Sequence, residues 1–299
     1  LCDTILSAVY LSSRCTFFLS PSMDVDMWHH PATQANIKQL QGYGNQLIPV
    51  GTGELASGLE GEGRLAEPEA IVAHLEAFFQ REQDLQGKHF LITAGPTHEP
   101  IDPVRFIGNR SSGKMGVALA EAIIARGGTV QLILGPSALS PAAPGLEVIR
   151  VETAQEMYEV ALAAFPETDV AILAAAVADY RPDKAADQKI KKTGDTLSLT
   201  LVKNPDIAAT LGERKQAGQL VVGFALETTN AEANARDKLR RKQLDLIVLN
   251  SLAEAGAGFA HDTNKITIFA RDNKARHFEL KSKTKVAFDI LDTLVEYLD

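Results

Sequence analysis

Val170-Ala-Ile-Leu-Ala-Ala-Ala-Val-Ala178 is an unbroken apolar run of strand length, followed at once by Asp179-Tyr-Arg-Pro182. A strand that is apolar on both faces must be covered on both, as in a parallel sheet packed between helices. The same rhythm repeats on either side of it. His89–Thr93, Thr129–Leu134 and Glu147–Val151 read as earlier strands, and Val221–Glu227 and Leu244–Asn250 as later ones. Val117–Arg126, Thr153–Phe165 and Ala231–Lys242 carry apolar residues at helical spacing. This alternation predicts an α/β fold with a doubly wound, Rossmann-like, mostly parallel sheet. Lys265–Ala270 and Arg276–Leu280 flank a hairpin turn, and Lys283–Leu298 reads as a closing amphipathic helix.

Upstream, the pattern belongs to a separate and smaller α/β segment. Ile5–Leu11, Ala32–Tyr43 and Pro68–Gln80 are helical in spacing, and Cys15–Leu19 and Gln46–Val50 are strand-like. Between them, Gly51 to Arg64 holds five glycines and is expected to be flexible or tightly turned. The polar run 81–87 suits a linker, which gives domains at 1–80 and 88–299. The chain begins with Leu1 rather than Met, and is read as starting inside a domain.

Composition narrows the partners. A net charge of -8 over 299 residues argues against nucleic acid or an anionic membrane, both of which reward a positive surface. No stretch approaches the roughly 18 consecutive apolar residues of a membrane span. Cys2 and Cys15 form neither a disulfide framework nor a Cys-x-x-Cys metal site, so a cytoplasmic setting is expected. His29 and His30 read as a solvated or capping pair rather than metal ligands.

Chemistry is expected at the carboxyl ends of the strands, where open α/β sheets bind ligands. Ile107-Gly-Asn-Arg-Ser-Ser-Gly-Lys-Met-Gly116 feeds directly into a helix, whose first amides and dipole favour an anion. Its Gly108-x4-Gly113-Lys114 nearly spells a P-loop, but Met115 stands where a Mg²⁺-binding hydroxyl is required. Lys203-Asn-Pro-Asp206 suggests a second helix start, with Asn204 as N-cap and the amides of Asp206, Ile207 and Ala208 facing outward. Lys189-Ile-Lys-Lys192 is a basic cluster, and Lys238 and Lys242 lie four apart on one helix face. Two anion-binding helix starts and two basic clusters in an acidic chain point to a polyphosphate. An NAD(P)-dependent Rossmann oxidoreductase is an alternative, weakened by the lack of Gly-x-Gly-x-x-Gly. A nucleotide-binding module without turnover is another.

The region Gly87–Leu298 resembles the synthetase half of the bacterial bifunctional flavoprotein of coenzyme A biosynthesis, phosphopantothenoylcysteine synthetase/decarboxylase. Six motifs carry the resemblance, in the family's order: Leu91–Pro100, Asn109–Gly116, Ala174–Pro182, Lys189–Lys192, Lys203–Asp206 and Gly223–Thr228. The resemblance implies CTP-dependent ligation of 4'-phosphopantothenate to L-cysteine. An acyl-cytidylate forms with release of pyrophosphate and with Mg²⁺, and the amine then displaces CMP. It further implies that Lys189 assists the first step and Asn109 the second. Leu173, Ala174, Ala175, Asp179, Lys189, Pro205, Asp206, Ile207, Ala208, Phe224, Lys238 and Lys242 would meet CTP. Asn109, Arg110, Ser111, Ser112 and Gly113 would form the substrate or phosphate loop. A homodimer is implied, with the segment around Lys189 reaching toward the partner's site.

The first 80 residues are similar to the tail of a flavodoxin-like decarboxylase half. They depart from it at Pro21-Ser-Met-Asp24, where the resemblance expects Asn in place of Asp24, and at Leu55-Ala-Ser-Gly58, where it expects Cys in place of Ser57. A hydroxyl is a far weaker acid than a thiol, so decarboxylation is not expected of this chain as given. FMN is expected only together with the upstream flavin-binding strand and histidine of that half.

Overall fold

The structure, a computed structural model, describes residues 4–13, 15–81, 83–191, 195–227, 230–251 and 262–298. Cys2, Lys192 and Thr228 lie outside the described residues. The chain divides into two compact units, Leu1–Arg81 and Glu82–Asp299.

In the first unit the elements run α1 (Ile5–Ser12), β1 (Phe18–Leu19), α2 (Val25–His29), α3 (Pro31–Gly42), β2 (Gln46–Leu47), β3 (Gly51–Glu54), β4 (Glu60–Arg64) and α4 (Pro68–Arg81). β1 and β2 pair in parallel, and Phe18 meets Phe78 of α4 edge-on with ring centroids 4.9 Å apart. His30 caps α3, its Nδ1 accepting from the Ala32 amide at 3.2 Å. The glycine-rich stretch is an antiparallel hairpin, β3–β4. Its glycines admit a neighbouring backbone: the Met23 amide donates to Gly63 O at 2.9 Å, and a Cβ on Gly63 would sit 2.3 Å from Met23 O. The residues before Asp24 are thereby laid along β4. Asp24 precedes α2 without a side-chain capping bond, and its Oδ1 is buried and unpartnered among the described residues. Ser57 is exposed on the hairpin turn.

The second unit continues with β5 (His89–Ala94), β6 (His98–Pro100), β7 (Phe106–Gly108), α5 (Lys114–Ala125), β8 (Thr129–Leu134), β9 (Leu146–Arg150), α6 (Ala154–Ala164) and β10 (Val170–Leu173). After β10 come β11 (Tyr180–Pro182), β12 (Leu201–Lys203), α7 (Ile207–Arg214), β13 (Leu220–Glu227), α8 (Ala231–Arg241), β14 (Leu246–Ser251), β15 (Thr263–Ala270), β16 (Ala275–Ser282) and α9 (Lys283–Val295). Eight strands form one sheet in the order β16-β15-β14-β13-β10-β5-β8-β9, in which β14 through β9 are parallel and β15 and β16 antiparallel. The chain enters at β5, winds outward through β8 and β9, then returns to β10 and proceeds the other way. This is the doubly wound α/β fold, with its switch point between β5 and β10.

Each face of the sheet carries its own core. Ile92, Leu119, Ile123, Ile290 and Leu291 belong to one cluster, under α5 and α9. Leu91, Met157, Leu211, Leu239 and Phe269 belong to the other, under α6, α7 and α8. β10 is buried at every position, as its composition requires. Arg126, which caps α5, donates through Nε to Asp84 at 2.8 Å and through NH1 to Asp292 of α9 at 2.7 Å. Those two carboxylates oppose burial, which alone would lower its pKa, and hold the guanidinium above its ordinary value.

Three expectations need correction. Leu85, read as part of the linker, is fully buried in the core, with its amide donating to Arg126 O. The strand expected over Val170–Ala178 ends at Leu173; beyond it alternate amides still pair in step, that of Ala174 with Thr93 O at the end of β5 and those of Ala176 and Ala178 with the loop after β5, without regular strand geometry. The helix expected from Asn204 and Pro205 begins at Ile207, capped by Asp206, whose carboxylate accepts from the Ala209 amide at 3.0 Å. No helix among the described residues is long and apolar enough to cross a membrane.

α5 owes its depth to glycine. A Cβ on Gly116 would lie 2.4 Å from Ala94 Cβ on β5. Gly116→Ala is therefore expected to overpack this contact and cost about 1–3 kcal/mol, read as a fall of several degrees in melting temperature; an unchanged melting curve would show that α5 can shift freely.

Candidate functional site

Two adjoining cavities open at the carboxyl ends of the parallel strands, as the switch-point rule anticipates. The larger holds about 680 Å³, within the range of small-molecule sites. Its floor is formed by Thr93 of β5, Leu173 of β10, and Gly223 and Phe224 of β13. Ala175 and Asp179 line one side, Pro205, Asp206, Ile207 and Ala208 another, and Lys238 and Lys242 reach in from α8 and its C-cap. Asn109 stands at the wall. The smaller cavity, about 130 Å³, is lined by Ser111, Ser112, Gly113 and Lys114 and by Ala174 to Ala176. The two share Ala175, Ala176, Phe224 and Leu226. A cleft of about 800 Å³ at the amino ends of β5 and β8, lined in part by His89 and Thr129, carries none of the expected residues.

The backbone of the site is zipped rather than loose. Beyond β10, the Ala174 amide donates to Thr93 O at 3.0 Å, that of Ala176 to Gly95 O at 2.8 Å, and that of Ala178 to Thr97 Oγ1 at 3.0 Å. Asn109 donates from Nδ2 to Ala176 O at 2.9 Å and Val177 O at 3.3 Å. Asn204, expected as a helix cap, instead donates from Nδ2 to Ala178 O at 2.8 Å and accepts from Arg181 NH1 at 2.9 Å. Both carboxamides thus hold the loop that ends in Asp179, and a ligand that engages Asn109 Nδ2 must displace a backbone acceptor.

The lysines of the larger cavity are matched by carboxylates. Lys238 donates to Glu227 at 2.6 Å, which draws the Glu227 carboxyl below its usual range. Lys242 lies 2.9 Å from Asp206 Oδ2. Burial raises the Asp206 pKa, but the Lys242 bond and the Ala209 amide outweigh it and leave the carboxyl below its ordinary value. Both pairs are partly buried, Lys238 and Glu227 at 35% and 16% exposure and Lys242 and Asp206 at 21% and 48%. A phosphate would compete with the two carboxylates for their cations.

α5 begins at Lys114, with Gly113 as N-cap in the left-handed region at φ 81°, so the loop delivers its amides directly to the smaller cavity. Arg110 is exposed and lines neither cavity. Lys189 is also exposed and lines neither. Its neighbour is nonetheless fixed: the Ile190 amide donates to Asp102 Oδ2 at 3.1 Å, and Ile190 O accepts from Arg105 NH2 at 3.1 Å. The Arg105 guanidinium, with the amides of Val104, Ile190 and Arg105, overcomes burial and holds the Asp102 carboxyl far below the usual carboxylate range. Lys189 is carried on an anchored segment outside the cavity of its own chain.

Sequence reasoning missed Arg241, which lines the larger cavity together with Lys203 of the second expected anion-binding motif. Arg241 is three residues from Lys238, so helical spacing could have found it. Asn250, Asn264 and Lys283 of the smaller cavity come from β14, β15 and α9, and no local motif marks them.

Residues 85–298 match the family described as DNA/pantothenate metabolism flavoprotein C-terminal domain, and residues 1–80 match a flavoprotein family. A cysteine/cysteine sulfinic acid decarboxylase from an unknown prokaryotic organism is 53% identical over 293 residues, covering 97% of this chain and 82% of that protein. The coenzyme A biosynthesis bifunctional protein CoaBC of Haemophilus influenzae is 44% identical over 294 residues, covering 98% of this chain and 73% of the relative. A crystal structure of the C-terminal domain of a CoaBC protein superposes with a TM-score of 0.62 at 41% identity, over 72% of this chain and 97% of that one. On these matches the chain belongs to the DNA/pantothenate metabolism flavoprotein family, alongside the bifunctional proteins of coenzyme A biosynthesis.

Proposed function

We propose that the second unit ligates 4'-phosphopantothenate to L-cysteine at the expense of CTP, in coenzyme A biosynthesis. The observation that supports this best is one cavity gathering Asn109, Asp179, the α7 start and two lysines, in a chain of this family. A carboxylate is inert toward an amine until one oxygen becomes a leaving group. Its oxygen attacks the α-phosphorus of CTP, the bond to the β-phosphate breaks, and pyrophosphate departs. The amine of cysteine then attacks the acyl carbon, CMP leaves, and the amine's surplus proton is lost.

Charge accumulates on phosphoryl oxygens in the first step, which is what Lys238, Lys242 and the amides opening α7 can stabilise. The triphosphate exchanges with Glu227 and Asp206 for the lysines. In the second step Asn109 Nδ2 is a donor of the right kind for the acyl carbonyl. Among the described residues no group of three or more His, Cys, Asp or Glu could hold a metal ion by itself. Mg²⁺ is proposed to arrive on the triphosphate, with Asp179 as a carboxylate within the cavity, the usual mode for this ion. Lys189, outside its own chain's cavity, is assigned to the site of a second copy in a homodimer.

Pyrophosphate release by the chain, measured with 4'-phosphopantothenate, Mg²⁺ and either CTP or ATP, is expected to depend on CTP and on the acid. Asn109→Asp should retain pyrophosphate release while lowering amide formation by roughly 100-fold or more, the scale of losing one oriented donor. No release with either nucleotide would return the chain to a binding module.

The homodimer assignment makes a separate prediction. Lys189→Gln and Asn109→Asp are each expected to be nearly inactive alone, whereas mixing them allows heterodimers with one intact site and restores up to about a quarter of wild-type activity, the mixed species being half the dimers and carrying one good site of two. No recovery after subunit exchange would place Lys189 in the site of its own chain.

A second reading concerns the first unit. The relative that is 53% identical is named as a decarboxylase of cysteine and cysteine sulfinic acid, and its match extends over 97% of this chain. That relative alone supports a second reading, decarboxylation of a small cysteine-like acid rather than of phosphopantothenoylcysteine. No residue described in the first unit is assigned to FMN, and no step is derived through it. Carbon dioxide release from L-cysteine or cysteine sulfinate, supplied with FMN, is the expected result on this reading; release only from phosphopantothenoylcysteine would overturn it.

A further inference from the structure

A further basic cavity lies where β14 begins and β15 ends, away from the strand ends that carry the site above. It holds about 500 Å³, within the range of small-molecule sites. Lys215, Arg236, Arg240 and Arg271 line it, and no acidic side chain does so among the described residues. Leu239 and Leu244 give it an apolar wall. α8 separates this cavity from the larger one. Arg236, Arg240 and Gln243 recur at steps of four and three and so share one side of the helix and its last turn. Lys238, Arg241 and Lys242, which line the larger cavity, form the other set. The two walls share Leu244 alone among the described residues.

The carboxylates near the four cations leave the cavity positive. Asp245 is fully buried and serves two of them at once, accepting from Lys215 Nζ at 2.7 Å and from Arg271 NH1 at 2.8 Å. One negative charge thus faces two positive ones. Arg236 is 3.0 Å from Glu232, and Arg240 is 3.7 Å from Asp237. Both of these carboxylates are exposed on α8 and stand outside the cavity wall, where solvent screens them. The Arg236 guanidinium also lies over the Phe269 ring, 4.3 Å from its centroid. A planar group held in this way loses little further freedom when it meets an anion.

Gln243 adds a second, independent observation. It follows the Lys242 C-cap at φ 52°, its amide donating to Arg240 O at 3.2 Å while that of Leu244 donates to Leu239 O at 3.0 Å. These two bonds make a Schellman motif, whose left-handed position glycine fills without strain. A glutamine is held there at a cost to the fold, and its side chain lines the cavity. A carboxamide offers an anion two N–H donors.

Guanidinium groups bind phosphate through paired N–H···O bonds, and three of them beside an ammonium suit several linked phosphates better than a single carboxylate. We propose that this cavity is a second anion site, which takes a polyphosphate, free or carried by a nucleotide, on Arg236, Arg240, Arg271 and Lys215, with Gln243 as a further donor. The proposal does not depend on the ligase reading, since it concerns the other side of α8.

Calorimetric titration of the full chain with inorganic tripolyphosphate and with ADP tests this. Arg240→Gln, at an exposed position, and Gln243→Gly should each weaken one equivalent of bound anion about 10-fold, the scale of a hydrogen bond to a charged group. Lys38→Gln, which removes the same charge from an exposed position on α3, should leave binding unchanged. Gln243→Gly should also melt no lower than the wild type, because glycine suits that backbone, so that lost binding is not lost folding. Tighter binding of ADP than of tripolyphosphate would assign the phosphates to a nucleotide resting on Leu239 and Leu244, and the reverse order to an inorganic chain. Undiminished binding of both probes by Arg240→Gln and Gln243→Gly would overturn the proposal, as would an equal loss in Lys38→Gln. CTP-dependent pyrophosphate release would still uphold the ligase in either case.

Discussion

The site depends on a row of hydrogen bonds that continues the sheet after its strands have ended. β10 stops at Leu173, yet the amides of Ala174, Ala176 and Ala178 go on pairing with Thr93 O, Gly95 O and Thr97 Oγ1 in step. Small residues make this possible, because the two loops must approach at strand spacing with no side chain between them. The loop that carries Asp179 is thus held as firmly as a strand while its outer edge faces a cavity. Asn109 and Asn204 close the zipper from either side, one from the loop before α5 and one from the turn before α7. Preorganisation of this kind lowers the conformational cost of holding a ligand.

The electrostatics follow a matching economy. Positive charge in an acidic chain has to be gathered locally, and here each of three cavity lysines has a carboxylate at hand: Lys238 with Glu227, Lys242 with Asp206, Lys114 with Asp262. Such pairs keep long side chains ordered in the free protein. Asp245 shows the contrasting use of charge. It is fully buried and binds the Val221 amide, Lys215 and Arg271 together, so its charges are spent on joining β13 to β14 and β15.

Most of the sheet was legible because its strands are short, apolar and separated by helical spacing. What failed did so for identifiable reasons. The run of alanines after Leu173 has the composition of a buried strand, and only its neighbour, a loop rather than a strand beyond Ala94, shows why regular strand structure stops there. Asn204 and Pro205 imitate a helix start well, but Asp206 is the residue positioned to accept from an amide three residues on, and Asn204 is drawn away to Ala178. Leu85 looked like a lone apolar residue in a polar run, and its burial depends on a core built by α5, far along the chain. Larger-cavity residues were readable because they sit in motifs. Lys283 and Asn264 were not, since their placement follows from the antiparallel strands folding back beside α5.

Arg126 joins Asp84, ahead of the first strand of the second unit, to Asp292 on its last helix. α9 also packs against α5 and covers part of its apolar surface. The order in which the chain is synthesised therefore matters. Strands β5 through β13 can emerge and pair while α9 is still unmade, but α5 stays half covered and Arg126 half paired until α9 has been made. A chain arrested before α9 would hold a sheet whose parallel strands are complete and whose apolar flank is open, the kind of species that associates before it is finished. The second unit is sealed by its last helix.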